Sequence, residues 1–402
     1  MPCSKIIKIV SKSKKLKILF LIFLLPIING CKTSGLEKKE LINSKKNIVL
    51  ELNLPKYGLI NNLNDKSCYR EVSNDDVLNY RKDSLLDYAK KQITNGNWFK
   101  GSTALTVTSN KINSWIRIHP ALVNYAIASG KKENIEKSIS LLEDYADEKI
   151  LLNIKYQQNN DCWKSGASGK CSYHLYEYSA RAWATIYYMG VALKTYMNDK
   201  QKQKLDNYFK DGWDNLVKHI VFKKKGPNGG IYGMADGGIA ALLYYQWTNN
   251  NEMLRNEIFL RRSQWINLIK RNGYIYNNSF RGVRAFWYHT LGAEVVFSYS
   301  LIAKEMGVDF FKDKTLGPRL EKLAEKTLLG VTNLKDFLKP GSSGTNLSKR
   351  KQNSRTNKHR YAVNLPIVLK NEFGISHKKL DNPSGGTSVL SLISAECYYS
   401  NR

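Results

Sequence analysis

Apolar residues in this chain return every three to four positions over one segment after another: Val77–Thr94, Ile112–Ala128, Asn134–Leu152, Ala180–Met197, Lys202–Val221, Gly237–Trp247, Glu252–Arg271, Ala285–Lys304 and Gly317–Leu329. That spacing matches the turn of an α-helix and not the alternation of a strand, so each segment predicts a helix with one face to bury. Few stretches compete as strands. Short turns rich in Gly, Asn and Lys join the segments, and antiparallel helix pairs that bury one face against their neighbours predict an all-α fold, an α/α toroid or incomplete α/α barrel. No repeat of fixed period runs through the chain, which argues against a regular solenoid.

The N-terminus has a different logic. Lys5, Lys8, Lys12, Lys14, Lys15 and Lys17 precede the apolar run Ile18–Ile28, and Asn29-Gly30-Cys31 follows it. A charged start, an apolar centre and small residues before a cysteine form an export signal over residues 1–30. The apolar run is too short to cross a bilayer, which takes about 20 residues as a helix. Cys31 sits where a bacterial lipobox places the lipidated first residue of a mature protein, so the expectation is an exported chain held to a bacterial membrane, in the periplasm or at the cell surface. Residues 31–66, polar and without sustained periodicity, read as a tether, and 67–402 as the folded toroid body. That body is expected to be a monomer. Lys339–Arg360, with Pro340-Gly341-Ser342-Ser343-Gly344 at its start, reads as a long basic loop.

Beyond Cys3 and Cys31 four cysteines remain, an even number suited to an oxidising compartment. Cys162 and Cys171 bracket a Gly- and Ser-containing loop that a disulfide would pin; Cys68 and Cys397 pair by elimination. The spacings are not those of a zinc site, and no metal or cofactor is expected.

The formal net charge is +29, and the leader lysines account for only a small part of it. Such a surplus favours polyanionic partners. Nucleic acid fits poorly with an exported lipoprotein, and no nucleic-acid recognition motif is present. An acidic polysaccharide fits both charge and compartment.

The densest chemistry lies in Arg281-Gly-Val-Arg-Ala-Phe-Trp-Tyr-His289. On a helix, Arg281, Arg284 and Tyr288 share one face, setting a phenol beside two fixed cations. Cleaving a uronic polymer by elimination needs a cation to neutralise the carboxylate, a base for the C5 proton and an acid for the departing O4. Arginine supplies the first. A tyrosine flanked by cations suits the other two, since nearby positive charge favours the phenolate. An ordinary core helix, with Phe286, Trp287 and Tyr288 packed inside and the arginines snorkelling out, is the competing structural explanation.

Gly273-Tyr-Ile-Tyr-Asn-Asn-Ser-Phe-Arg281, followed by Arg284-Ala285 and Tyr288-His289, resembles the catalytic segment of the helical-toroid alginate lyases, polysaccharide lyase family five. In that family the pattern runs Arg-x-x-Arg-Ala-x-x-Tyr-His-Asn. The resemblance implies that Arg281 and Tyr288 are the catalytic arginine and tyrosine, with Thr290 in place of the asparagine; Arg284 and His289, beside them, are expected to bind substrate. From Ser179 to about Val221 and on through a Gly-rich loop, only the order of elements is similar.

The family completes its site with an upstream Asn-His pair, which Gly226–Gly238 lacks. Asp236 stands nearest to the histidine's place. It suits a base or sugar ligand, or a helix N-cap for Gly237 onwards. A histidine from elsewhere is the other candidate, either His289 beside the tyrosine or His174, which lies among Tyr173, Tyr176, Tyr178 and Arg181, an aromatic and cationic strip able to stack sugars and pair with carboxylates. Trp98, on a Gly- and Asn-rich stretch, is a further sugar platform. The expected function is β-eliminative cleavage of an acidic, uronate-containing polymer. Its rivals are a hydrolase on the same scaffold using Asp236 and Glu177 as acid and base, and a lipoprotein that binds polysaccharide without cutting it.

Overall fold

In the computed structural model the described residues are most of 122–152, then 174–222, 231–339 and 364–380 almost without interruption, and Tyr399. Cys31, Trp98, Cys68, Cys162, Cys171, Cys397, the leader, the tether and the basic loop lie outside them. The described segments are helical: α1 Lys132–Asp147, α2 His174–Leu193, α3 Asp199–Gly212, α4 Lys218–Phe222, α5 Ile231–Trp247, α6 Asn251–Leu268, α7 Ala285–Glu305, α8 Gly317–Thr332, α9 Leu334–Phe337 and α10 Asn364–Phe373. Among the described residues the sole β feature is an isolated antiparallel bridge, Ile269 to Ile275.

Two kinds of helix are layered together. α2, α5 and α7 are apolar around most of their circumference, whereas α1, α3, α6 and α8 alternate buried positions with Lys, Glu and Asp. The apolar set is central: α5 packs against α2, α6 and α7, and α7 against α8 and α10. In α7 nearly every residue from Gly292 to Ala303 is buried, and each large apolar side chain so enclosed contributes about 1.5–3 kcal/mol. Between α2, α3 and α5 the core is aromatic. Trp183, Tyr187, Tyr208, Phe209 and Trp247 interlock with ring centroids 4.9–5.8 Å apart. Most of their polar tips are matched: Tyr187 donates to the Phe209 carbonyl at 3.2 Å, Tyr208 to the Ile150 carbonyl at 2.9 Å and Trp247 Nε1 to Asp206 at 2.7 Å, while Trp183 Nε1 is buried without a hydrogen-bond partner among the described residues.

Capping chemistry sets several boundaries. Asn198 and Gln201 exchange side-chain and backbone hydrogen bonds in a capping box, so α3 starts at Asp199, ahead of the predicted Lys202. Asn250 accepts from the Met253 N–H and starts α6 at Asn251. α5 begins at Ile231, directly after Gly229-Gly230, and not at Gly237. Asp236 therefore lies on its second turn, which removes the N-cap role considered for it. α10 had no counterpart among the predicted helices.

Beneath α5 sits a charged pair. Arg261 and Glu257, one turn apart on α6, are fully and almost fully buried and joined through Arg261 Nε. Arg261 also donates to Gln264 at 2.9 Å. Burial raises the Glu257 carboxyl above its ordinary range in spite of Arg261, and pushes the phenols of Tyr245 and Tyr299 up as well, with the Glu257 charge adding to the effect. Gly238 of α5 lies on this pair, where a Cβ would stand 2.5 Å from Arg261 Nε.

Candidate functional site

The segment between α6 and α7 is a short hairpin followed by a turn. Lys270 N–H bonds the Tyr274 carbonyl and Tyr276 N–H the Leu268 carbonyl, both at 2.8 Å, which closes the hairpin. Its tip rests on α8: Gly273 has φ +83°, and any Cβ there would collide with the Lys322 carbonyl. Tyr274 then runs inward, donates to the Phe337 carbonyl at 2.7 Å, and lies against Phe280 and Phe337. The chain emerges at Arg281. Gly282, at φ +59°, turns it into a single 3-10 turn, Gly282–Arg284, that leads straight into α7.

This path brings Arg281 and Tyr288 together. The Arg281 guanidinium carbon lies 4.0 Å from the centroid of the Tyr288 ring. Arg281 is exposed and Tyr288 half-buried. Among the described residues no carboxylate pairs with Arg281, so its charge is not neutralised internally by any of them. The one-face spacing predicted this meeting, although the helix itself starts only at Ala285. Arg284, also exposed, goes instead to Trp287, 5.9 Å from its ring. Trp287 in turn touches Tyr288, centroids 4.9 Å apart.

His289 departs from expectation. It is fully buried, with Nδ1 2.8 Å from Ser279 Oγ and Nε2 3.2 Å from Thr327 Oγ1, and Phe337 and Tyr274 cover its ring. Burial, reinforced by the nearby charge of Lys326, holds its pKa down to about 3. A neutral imidazole in the core cannot reach a polymer in solvent, so its substrate-binding role is withdrawn. Thr290, where the resembled family has asparagine, is buried and donates to the Trp287 carbonyl at 2.9 Å.

The remaining candidates are placed by backbone. His174 opens α2 and Tyr178 follows one turn later; Asp236 is on α5, and α2 and α5 pack against one another. The side chains of these three lie outside the described part. Arg181, further along α2, is half-buried. Among the described residues no group of three or more His, Cys, Asp or Glu side chains could hold a metal ion.

Three residues that shape this region escaped the sequence. Asn278 is buried and its Nδ2 donates to the Tyr288 carbonyl at 3.2 Å. Ser279 and Thr327 grip His289 from the hairpin and from α8. Asn278 and Ser279 could have been found as polar residues just ahead of Arg281; nothing local marks Thr327.

No protein-family model matches the sequence, and no curated protein matches it significantly. Solved structures do match in three dimensions. Alginate lyase A1-III from Sphingomonas species A1 is similar with a TM-score of 0.56 at 16% identity, over 73% of this chain and 77% of that one. Two variants of that lyase complexed with tetrasaccharide, one tyrosine-to-phenylalanine and one histidine-to-alanine, score 0.54 and 0.53 at 15% identity, over 73% of this chain and 77% and 78% of theirs. The apolar inner helices and charged outer helices thus belong to the all-α, α/α-toroid fold of alginate lyase A1-III.

Proposed function

We propose that this chain is a polysaccharide lyase that cleaves an acidic, uronate-containing polymer, alginate or polymannuronate or a glucuronan-like chain, by β-elimination. The observation that carries it is the exposed Arg281 guanidinium 4.0 Å above the Tyr288 ring, without a carboxylate partner among the described residues. Arg281 offers its planar fork to the substrate carboxylate, which makes the C5 proton more acidic. Tyr288, as phenolate, takes that proton; the electron pair forms the C4–C5 double bond as the C4–O4 bond breaks, and the phenol returns the proton to O4. The products are a shortened polymer and a chain ending in an unsaturated uronide. Arg284 and Trp287 extend the same face. The toroid lyase held with tetrasaccharide in tyrosine and histidine variants supports a saccharide substrate for this fold, and supports seeking a histidine or its replacement beside Tyr288.

Asp236 and His174 are the two candidates for that replacement. If Asp236 serves, Asp236→Asn abolishes turnover in a folded protein; if His174 serves, the kinetic loss follows His174→Ala. Trp98, Tyr178 and Arg181 are proposed as further sugar contacts.

The purified mature protein is to be incubated with alginate, glucuronan, pectate and glycosaminoglycans. Ultraviolet absorbance from unsaturated ends is the expected result. New reducing ends without absorbance would instead mean hydrolysis, and saturable binding with no change in polymer length a binding protein. Export and lipid anchoring rest on the leader and Cys31: Cys31→Ser should leave the protein unprocessed or soluble, and unchanged fractionation would discard the anchor.

A further inference from the structure

Ser279, His289 and Thr327 form a hydrogen-bonded chain whose direction can be read from one end. Thr327 gives its hydroxyl proton to the Leu323 carbonyl at 2.8 Å, so towards His289 Nε2 it has only a lone pair to offer. Nε2 therefore carries the proton. A neutral imidazole protonated there has Nδ1 as its acceptor. Ser279 Oγ donates to it across 2.8 Å while accepting the Ile275 N–H, also at 2.8 Å. Every group in the series is satisfied, from the Ile275 amide to the Leu323 carbonyl.

The ends of this chain bear on the site. Ser279 stands two residues before Arg281, and His289 directly follows Tyr288. Asn278 adds a parallel tie to the Tyr288 carbonyl. The segment that ends in Arg281 is thus fastened to the very turn of α7 that presents Tyr288. We infer that His289 is a positioning residue: as a neutral, Nε2-protonated imidazole it clamps Ser279, keeps the Arg281 guanidinium over the Tyr288 ring, and takes no proton during turnover. The kinetic half of this inference rests on the lyase function proposed above; the geometric half does not.

The test joins spectroscopy to kinetics in the full mature chain. With arginine side chains isotopically labelled, the Arg281 δ and ε protons should show an upfield ring-current shift from Tyr288. Ser279→Ala, which removes one oxygen, and His289→Leu should abolish that shift. His289→Asn, whose amide oxygen can stand in for Nδ1, should keep it. On a cleaved polymer, kcat/KM should fall roughly ten- to a hundredfold in the first two variants, as for a misplaced catalytic group, and less than about threefold in the third. The pH profile should keep its shape in all of them. An unchanged ring-current shift in Ser279→Ala overturns the inference, as does an ionisation in the parent profile that disappears in His289→Asn. Should His289→Leu fail to fold, Ser279→Ala decides alone. If the parent cleaves nothing while the ring-current shifts respond as expected, the lyase function fails and the clamp stands; if it cleaves and the shifts do not respond, the clamp fails and the lyase function stands.

Discussion

Arg261 is enclosed by protein and clamps Glu257 one turn away, whereas Arg281 lies at the surface with its guanidinium on an aromatic ring and no carboxylate beside it among the described residues. The difference lies in where the counter-charge comes from. Arg261 has its carboxylate built in, and the pair serves the packing of α5 on α6. Arg281 is placed by the hairpin and by Tyr288, and none of the described carboxylates neutralises it. The first arrangement should govern whether the protein folds, and the second what it does once folded.

Arg261→Met should break the comparison most visibly, because it strands the Glu257 carboxylate in the core; a loss of about 3–5 kcal/mol in denaturant unfolding is expected, with normal turnover per folded molecule. Adding Glu257→Leu should recover most of that loss. A normally stable but inactive Arg261→Met protein would mean that the two regions are not separable in this way. Tyr288→Phe should do the opposite, lowering turnover by about a hundredfold or more with polymer binding intact and stability changed by less than about 0.5 kcal/mol. Near-normal turnover there would remove Tyr288 from the chemistry. Arg281→Lys keeps the charge and loses the planar fork, so about a tenfold or larger drop in kcat/KM is expected, and full activity would show that Arg281 does not hold the carboxylate.

The smallest effect is one of pH. His289 has its folded pKa depressed from an ordinary 6.5 to about 3, so on acidification the unfolded chain takes up a proton that the native chain refuses. Stability should therefore fall as pH drops from about 6.5 towards 3, by at most about 1.4 kcal/mol per pH unit from this group. The contribution is read as the difference between the parent and His289→Asn, in which the slope should be flatter by that amount. Parallel slopes would mean that the imidazole is not excluded from protonation by its surroundings.

Helices were legible in the sequence because burial repeats with the period of the backbone itself, and α7 and α8 begin where that period predicts. The starts of α3 and α6 depended on Asn198 and Asn250, whose capping contributions a search for apolar spacing overlooks. The meeting of Arg281 with Tyr288 was legible for a related reason, since both lie within one short stretch of chain. His289 was misjudged because residue type speaks for the surface, while its burial is decided by Thr327 on α8 and Phe337 on α9, which are distant in sequence. For Asp236, the glycines at the head of α5 concealed where the helix begins.

Gly238 carries a consequence for chains related to this one. Its missing side chain lets the early turns of α5, which include Asp236, lie directly on Glu257 and Arg261. Any residue with a Cβ at 238 must displace the pair or lift the helix. Positions 238, 257 and 261 are therefore expected to change together over evolutionary time, so a homologue with alanine at 238 should have given up the buried charges, and its residue at 236 should sit at a different height above the helices beneath.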